Sequence, residues 1–512
     1  MKLLRLALLL ALGSAGLAAH EAQRVGTDGW CQVASPDFKI ISQLSAPDTA
    51  EWAGRLNQFL FALKARLPAD PRLLGTYSLV LFKSDSDYWS SVPILKSGDP
   101  LANVAAFSRS GGWGTIAAAD ERGSSEDTQR LIYETSVYWL TCADHRYRPR
   151  ALGTGISEVY GAYVIRDGVE VFGQPIRGAT SRLQKAEANS LSNAEVFLKI
   201  EDLLSVSDMN PVAEVHGFPM FNLESWGFAH FLMFSKDMAK EHALDRLLNA
   251  FAHTRNAHDA LREAFGKDAD SINSRFRNYI RGGDFYEVTS PVEVPPALAT
   301  PAPVDRAAVA TVLSRLEAAA DNLSVARSYA QQALQLDSST PGPREALALV
   351  DFKDHRGDEA EANCKEAIRL GSRDPSTWLE ASLEEGRTPA NDSVPLEEVA
   401  LTGDQAREAV NIAEKAIIMH KGLEAAFIRV GALMPKTSRV TDDDGKFLVL
   451  GRMLFPNDGW IEIGHAQWAH RVHDDALGLK ILDDIVARPA AFAPKEVEQA
   501  RVLQKGWSAQ KS

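Results

Sequence analysis

Hydrophobic and polar positions follow different rhythms on the two sides of residue 300. On the N-terminal side, Phe38-Lys39-Ile40-Ile41-Ser42 and Tyr77 to Lys83 (YSLVLFK) are short apolar runs that predict strands. Between them, Trp52, Leu56, Phe59, Leu60, Leu63 and Leu67 fall at helical spacing from Asp48 to Leu67. A third strand is expected from Trp113 to Ala119, entered through Gly111-Gly112. It is followed by a helix that opens with the capping pattern Ser124-x-x-Asp127 and runs through Leu131, Tyr138 and Leu140. From about Ser190 to Arg281 the pattern is helical almost throughout. Strands first and helices afterwards predict an α+β domain over residues 28–285.

The C-terminal side is helical and repetitive. Ala326, Ala333, Leu336 and Pro341 recur as Ala360, Ala367, Leu370 and Pro375, each pair 34 residues apart. That is the tetratricopeptide period, a helix pair per repeat, and it outweighs the alternative of one unrepeated bundle. Ala409 and Ala416 carry a third copy, displaced by 15 additional residues placed within Arg387 to Thr402, and a weaker pair spans Trp460 to Val486. Residues 305–512 are therefore expected to form an all-α superhelix of about four repeats, in which alanines seven apart let helices pack closely. Ser290 to Pro303 holds five prolines, and residues 286–304 read as an extended, semi-rigid linker.

Composition changes this picture in three places. The net charge of −13 argues against a nucleic-acid partner, whose phosphates need the opposite sign. Lys2 and Arg5, the apolar run Leu3 to Leu12 and the small residues Gly16-Leu17-Ala18-Ala19 have the layout of a signal peptide over residues 1–19, cut near Ala18 or Ala19. The run is too short to span a bilayer, and no integral membrane segment is expected elsewhere. The product is expected to be periplasmic or extracellular. Export permits a disulfide, but the spacing of Cys31, Cys142 and Cys364 leaves a Cys31–Cys142 bridge and free buried thiols equally open.

The order of several landmarks resembles the peptidase MA-like domain, a gluzincin type often joined to tetratricopeptide repeats. They are Trp30, Ser35-Pro36-Asp37-Phe38-Lys39-Ile40, and Tyr133-Glu134-Thr135-Ser136-Val137-Tyr138-Trp139-Leu140 where the family has His-Glu-x-x-His. Then come Pro149-Arg150-Ala151-Leu152-Gly153-Thr154-Gly155-Ile156-Ser157-Glu158, Ser225 to Leu232 and Ala264-Phe265-Gly266. The resemblance, over roughly residues 28–282, implies a thermolysin-like small sheet with helices. It also places the zinc ligands of the family at Tyr133, Val137 and Thr154 and the general base at Glu134. Valine offers no donor atom, threonine is a poor ligand and a lone tyrosine cannot hold the metal. The resemblance therefore implies a pseudopeptidase with no metal and no cofactor, in which Glu134 is a vestigial base.

A relocated metal site has no two-histidine pair on one helix face. His145, His216 and His230 are scattered, with Asp144 and Glu158 as acidic companions, and His253 and His258 are five apart. Thr135-Ser136 lacks the glycine elbow of a serine nucleophile. Asp442-Asp443-Asp444-Gly445 reads as a solvated turn. The expected function is binding of a protein or peptide partner on the repeats. The alternative is a metallopeptidase whose zinc site is non-standard or completed by a partner.

Overall fold

The computed structural model describes residues 26–67, 73–92, 106–111, 114–120, 126–142, 149–176, 178–189, 197–206, 218–385 and 401–510. The leader at 1–19, the segment 387–400, Trp113, Ser124, Asp144, His145 and His216 lie outside the described residues.

The main sheet is built from β1 (Cys31–Ala34), β2 (Phe38–Ser42), β3 (Tyr77–Phe82), β4 (Ala106–Gly111) and β5 (Gly114–Asp120), in the order β4-β5-β3-β2-β1. Strands β2, β3 and β5 are parallel, β4 and β1 run antiparallel to them on either side, and Ala302–Pro303 adds a short sixth strand beyond β1. The crossover from β2 to β3 is α1 (Ala46–Lys64), the helix expected from its apolar spacing, capped by Ser45, which accepts from the Asp48 N–H.

Among the described residues, ten further α-helices belong to this half: α2 (Asp85–Ser90), α3 (Glu126–Cys142), α4 (Arg150–Gly161), α5 (Ala179–Asn189) and α6 (Ile200–Leu204) come first. They are followed by α7 (Phe218–Phe234), α8 (Lys236–Lys240), α9 (Ala243–Phe251), α10 (Ala257–Phe265) and α11 (Ala269–Gly282). A small second sheet joins β6 (Val164–Arg166), β7 (Val169–Phe172) and β8 (Val288–Pro291).

Both faces of the main sheet are covered. Ile40, Leu79, Leu81, Ala117 and Ala119 share one core with Leu56, Phe59 and Leu60 of α1 and Ile132 and Val137 of α3. Their neighbours in the strands, Ile41, Val80, Phe82, Ile116 and Ala118, share a separate core with Val309, Leu313 and Leu316 of α12 (Arg306–Ala319). This second cover explains why β3 is apolar at successive positions rather than alternating. The first helix of the C-terminal half is thus part of the packing of the N-terminal sheet.

The proline-rich stretch 286–304 is extended, but it is not a free connector. Its start forms β8, paired antiparallel with β7, and its end forms β9 (Ala302–Pro303), paired with β1. Between them, Gln58 Nε2 donates to the Glu293 carbonyl and Asn57 Nδ2 to the Pro296 carbonyl, each at 2.9 Å. Prolines lack the N–H that a strand ladder needs, and side chains of α1 fasten this stretch instead through the carbonyls of Glu293 and Pro296.

The C-terminal half is a stack of helix pairs: α12 with α13 (Leu323–Leu336), α14 (Gly342–Lys353) with α15 (Gly357–Arg369), and α16 (Pro375–Glu384) with α17 (Gly403–Met419). Then come α18 (Glu424–Leu433) with α19 (Asp442–Leu454), α20 (Gly459–Arg471) with α21 (Asp475–Ala487), and a closing helix α22 (Pro494–Gln510). Among the described residues this is a tetratricopeptide-like helical region of five pairs, one more than the sequence suggested. The additional pair, α18/α19, uses glycine where the others use alanine. A Cβ on Gly464 of α20 would lie 2.2 Å from the Cα of Gly431 in α18, so these helices meet backbone to backbone.

Asp442 to Gly445 is not a solvated turn. It is the first turn of α19, with Thr441 and Asp444 in a capping box and the fully buried Asp444 carboxylate bonded twice by Arg407 at 2.8 and 2.9 Å. Acidic residues there suit the positive end of the helix. Cys31 is a free buried thiol, 3.1 Å from Thr49 Oγ1 and 3.6 Å from the Leu44 carbonyl, so the disulfide alternative for this residue is not the one adopted.

Beyond α12, the halves meet again. Leu73 packs among Ile417, Leu423 and Phe427. The Arg255 N–H donates to the Ala490 carbonyl and its guanidinium to the Asn457 carbonyl.

Candidate functional site

Helices α3 and α4 pack directly against one another. The contact is close because position 161 is glycine: a Cβ there would lie 2.3 Å from the Glu134 Cγ. At about 100° per residue, Arg130, Tyr133, Glu134 and Val137 lie within one arc of α3, and Thr154, Glu158 and Gly161 form one stripe of α4. The Gly161–Glu134 contact turns these two surfaces toward each other. The three positions that the sequence marked as ligand sites therefore belong to one helix interface.

Their chemistry is that of a core. Tyr133 is buried, its ring stacked on Phe59 at 4.1 Å and edge-on to Tyr163, with its hydroxyl donating to the Arg55 carbonyl at 3.4 Å. Val137 is fully buried in the same cluster, and Thr154 is half-buried on α4. Zinc needs nitrogen, sulfur or carboxylate donors converging on one point, and this set supplies none. The three residues do not fit the metal. Among the described residues, no group of three or more His, Cys, Asp or Glu side chains is placed to hold one.

What occupies the interface instead is a charged cluster. Arg130 Nη1 pairs with Glu134 Oε1, four residues along the same helix. Burial pushes the Glu134 carboxyl up to about 7, against the pull of Arg130. Burial also raises Glu158 well above the usual carboxylate range, and the neighbouring Glu134 adds to it. Two carboxylates in one poorly hydrated place hold a proton at neutral pH. The role of Arg130 and Glu158 escaped the sequence reading, although the spacing of Arg130 to Glu134 was visible there. The adjacent hydroxyls are taken: Thr135 Oγ1 and Ser136 Oγ each donate to carbonyls of their own helix at 2.8 Å.

The other candidates are dispersed. His230 is buried in α7, with Nδ1 2.7 Å from the Tyr279 hydroxyl and Nε2 2.8 Å from the Gly173 carbonyl. Burial lowers its pKa to about 4, so the ring is neutral. His253 pairs with Glu263 and His258 with Glu201, all exposed. These residues do not converge.

No family model and no curated protein sequence matches this chain. Among solved structures, similarity extends to YrrB, a tetratricopeptide-repeat protein with an unusual peptide-binding site, at 14% identity and a TM-score of 0.30, over 38% of this chain and 91% of that one. It also extends to yeast Tom70, at 11% identity and a TM-score of 0.20, over 75% of this chain and 82% of that one. Superpositions that distant carry no argument by themselves. The description of the C-terminal half rests on its own 34-residue spacing and helix pairing.

Proposed function

We propose that this is an exported bacterial protein that binds a protein or peptide through its helix pairs, and that its N-terminal half is a gluzincin-like domain without peptidase chemistry. The observation that carries the reading is the stack of five helix pairs and a closing helix from Arg306 to Gln510. Such arrays present extended surfaces that recognise segments of other proteins. The donor-poor positions Tyr133, Val137 and Thr154 support the second half of the proposal, and the leader-like residues 1–19 support export to the periplasm or exterior.

The test is capture by the full chain from an envelope fraction, followed by cross-link mapping. Cross-links concentrated on α12, α14, α16, α18 and α20 are expected. Cross-links confined to residues 28–285 would contradict a repeat-driven binder.

A second reading, a metallopeptidase completed by a partner, draws on the Glu134–Glu158 pair. It requires Arg130 to leave Glu134. Glu134→Gln would then abolish hydrolysis in the presence of that partner, and retained hydrolysis removes the reading.

A further inference from the structure

A groove of about 610 Å³ lies where the N-terminal sheet meets the first three helix pairs. Its floor is a row across the parallel strands. Lys39 of β2 pairs in register with Ser78 of β3, and Ser78 with Ile116 of β5. One wall is α12, through Thr311 and Arg315, and the other is formed by the loops entering α14 and α16 and the end of α17.

Most charges in this groove are paired, and among the described residues two of its cations, the exposed Arg373 and the half-buried Lys39, have no ion pair. Arg315 bonds Glu345 at 2.8 Å and Asp374 at 2.7 Å. Asp305 caps α12 by accepting from the Ala308 N–H, and Asp337 accepts from Ser339 and Thr340. Lys39 is half-buried, and among the described residues no ion pair or hydrogen bond engages its ammonium. Burial and the Arg315 guanidinium hold its pKa below the ordinary lysine value, only partly offset by Asp305. A partly desolvated cation whose nearby counter-charge, Asp305, offsets the cost only in part would be stabilised by a carboxylate delivered to it.

We propose that this groove receives an extended peptide segment whose carboxylate pairs with Lys39, an inference that rests on the reading of the chain as a peptide-binding scaffold. The shape argues for a peptide rather than a small acid. Helix α12 packs on α14, and α14 on α16. Two steps of about 8–10 Å between neighbouring helices match roughly five or six residues of extended chain. Thr76, Ser78, Thr311 and Thr340 supply hydroxyls for backbone amides along that path, and Val312 and Met419 supply apolar contact.

The probes are the hexapeptide acetyl-Ala-Leu-Ala-Glu-Ala-Leu-amide, its Gln counterpart and acetate, added to the full chain. The readouts are affinity and the side-chain nitrogen resonance of Lys39. The Glu peptide should bind about tenfold tighter than the Gln peptide, as expected for one charge-assisted bond, and should shift the Lys39 signal. Lys39→Gln should erase the difference between peptides, and Thr340→Trp, at an exposed rim position, should weaken both without touching the core. Peptide binding insensitive to both substitutions overturns the site while leaving the scaffold reading standing. Acetate binding as tightly as the Glu peptide, or no peptide binding at millimolar concentrations, also overturns it. Failure of the cross-linking test strikes the scaffold reading instead.

Discussion

Single residues carry much of what distinguishes this chain. Gly464 is the sharpest steric case, because a Cβ there would strike the backbone of Gly431 rather than a side chain that can move. Gly464→Ala should therefore lower stability by about 1–3 kcal/mol, the usual cost of overpacking. Gly506, in α22 with nothing within 4 Å of an added Cβ, is the control. Gly506→Ala should be neutral or stabilising by about 0.5–1 kcal/mol, and chemical denaturation of the two variants checks the pair.

Glu380 is the electrostatic case. It is buried, and its carboxyl is pushed up to about 8, first by desolvation and then by Asp374, from an ordinary value of 4.5. The native state therefore holds a proton that the unfolded chain releases. Its contribution is complete below about pH 4.5 and is lost as pH rises through about 8. Each unit of such a shift is worth about 1.4 kcal/mol above both values. Glu380→Gln should flatten the decline of stability between those limits, as read from denaturation midpoints across pH.

At the scale of elements, the decisive contact is α12 against the sheet. Leu313 is buried there against strands from the other half of the chain. Leu313→Ala should cost about 2–5 kcal/mol, and limited proteolysis should show residues 28–285 and 305–510 loosening together. Protection of one half while the other is cut would show that they fold separately.

Elements also show what was legible beforehand. Helix α1 and strands β2 and β3 were readable because their apolar spacing serves one local packing role. The alanine repeats were readable because small residues recur at fixed intervals where helices touch. The α18/α19 pair was missed because Gly431 performs the same task without an alanine. The docking of α12 was missed too, although the unbroken apolar run of β3 implied a cover on both faces. Strands β8 and β9 could not be foreseen, since their partners lie more than a hundred residues away and prolines mask the strand pattern. At the candidate site, the resemblance directed attention to Tyr133, Val137 and Thr154. Their stacking into the core and the coupling of Glu134 to Glu158 depend on how α3 meets α4, which no local pattern specifies.

At the scale of the whole molecule, the sequence boundary near residue 300 does not coincide with a boundary in packing. The linker is hydrogen-bonded to α1, α12 completes the sheet, and Leu73 and Arg255 tie later helix pairs to the N-terminal half. The sheet thus places its Lys39 row against the first three repeats, where the proposed peptide groove lies. The charged cluster at the α3–α4 interface, with its Arg130–Glu134 ion pair, is on a different part of the fold.

The proposal that this chain binds a partner without hydrolysing peptides makes a direct claim about zinc. Calorimetric titration of zinc into the full chain, with peptide hydrolysis followed in the same samples, tests it most directly. No saturable one-to-one zinc site and no hydrolysis that Glu134→Gln removes are expected. One zinc bound per chain, with Glu134-dependent hydrolysis lost on chelation, would contradict it.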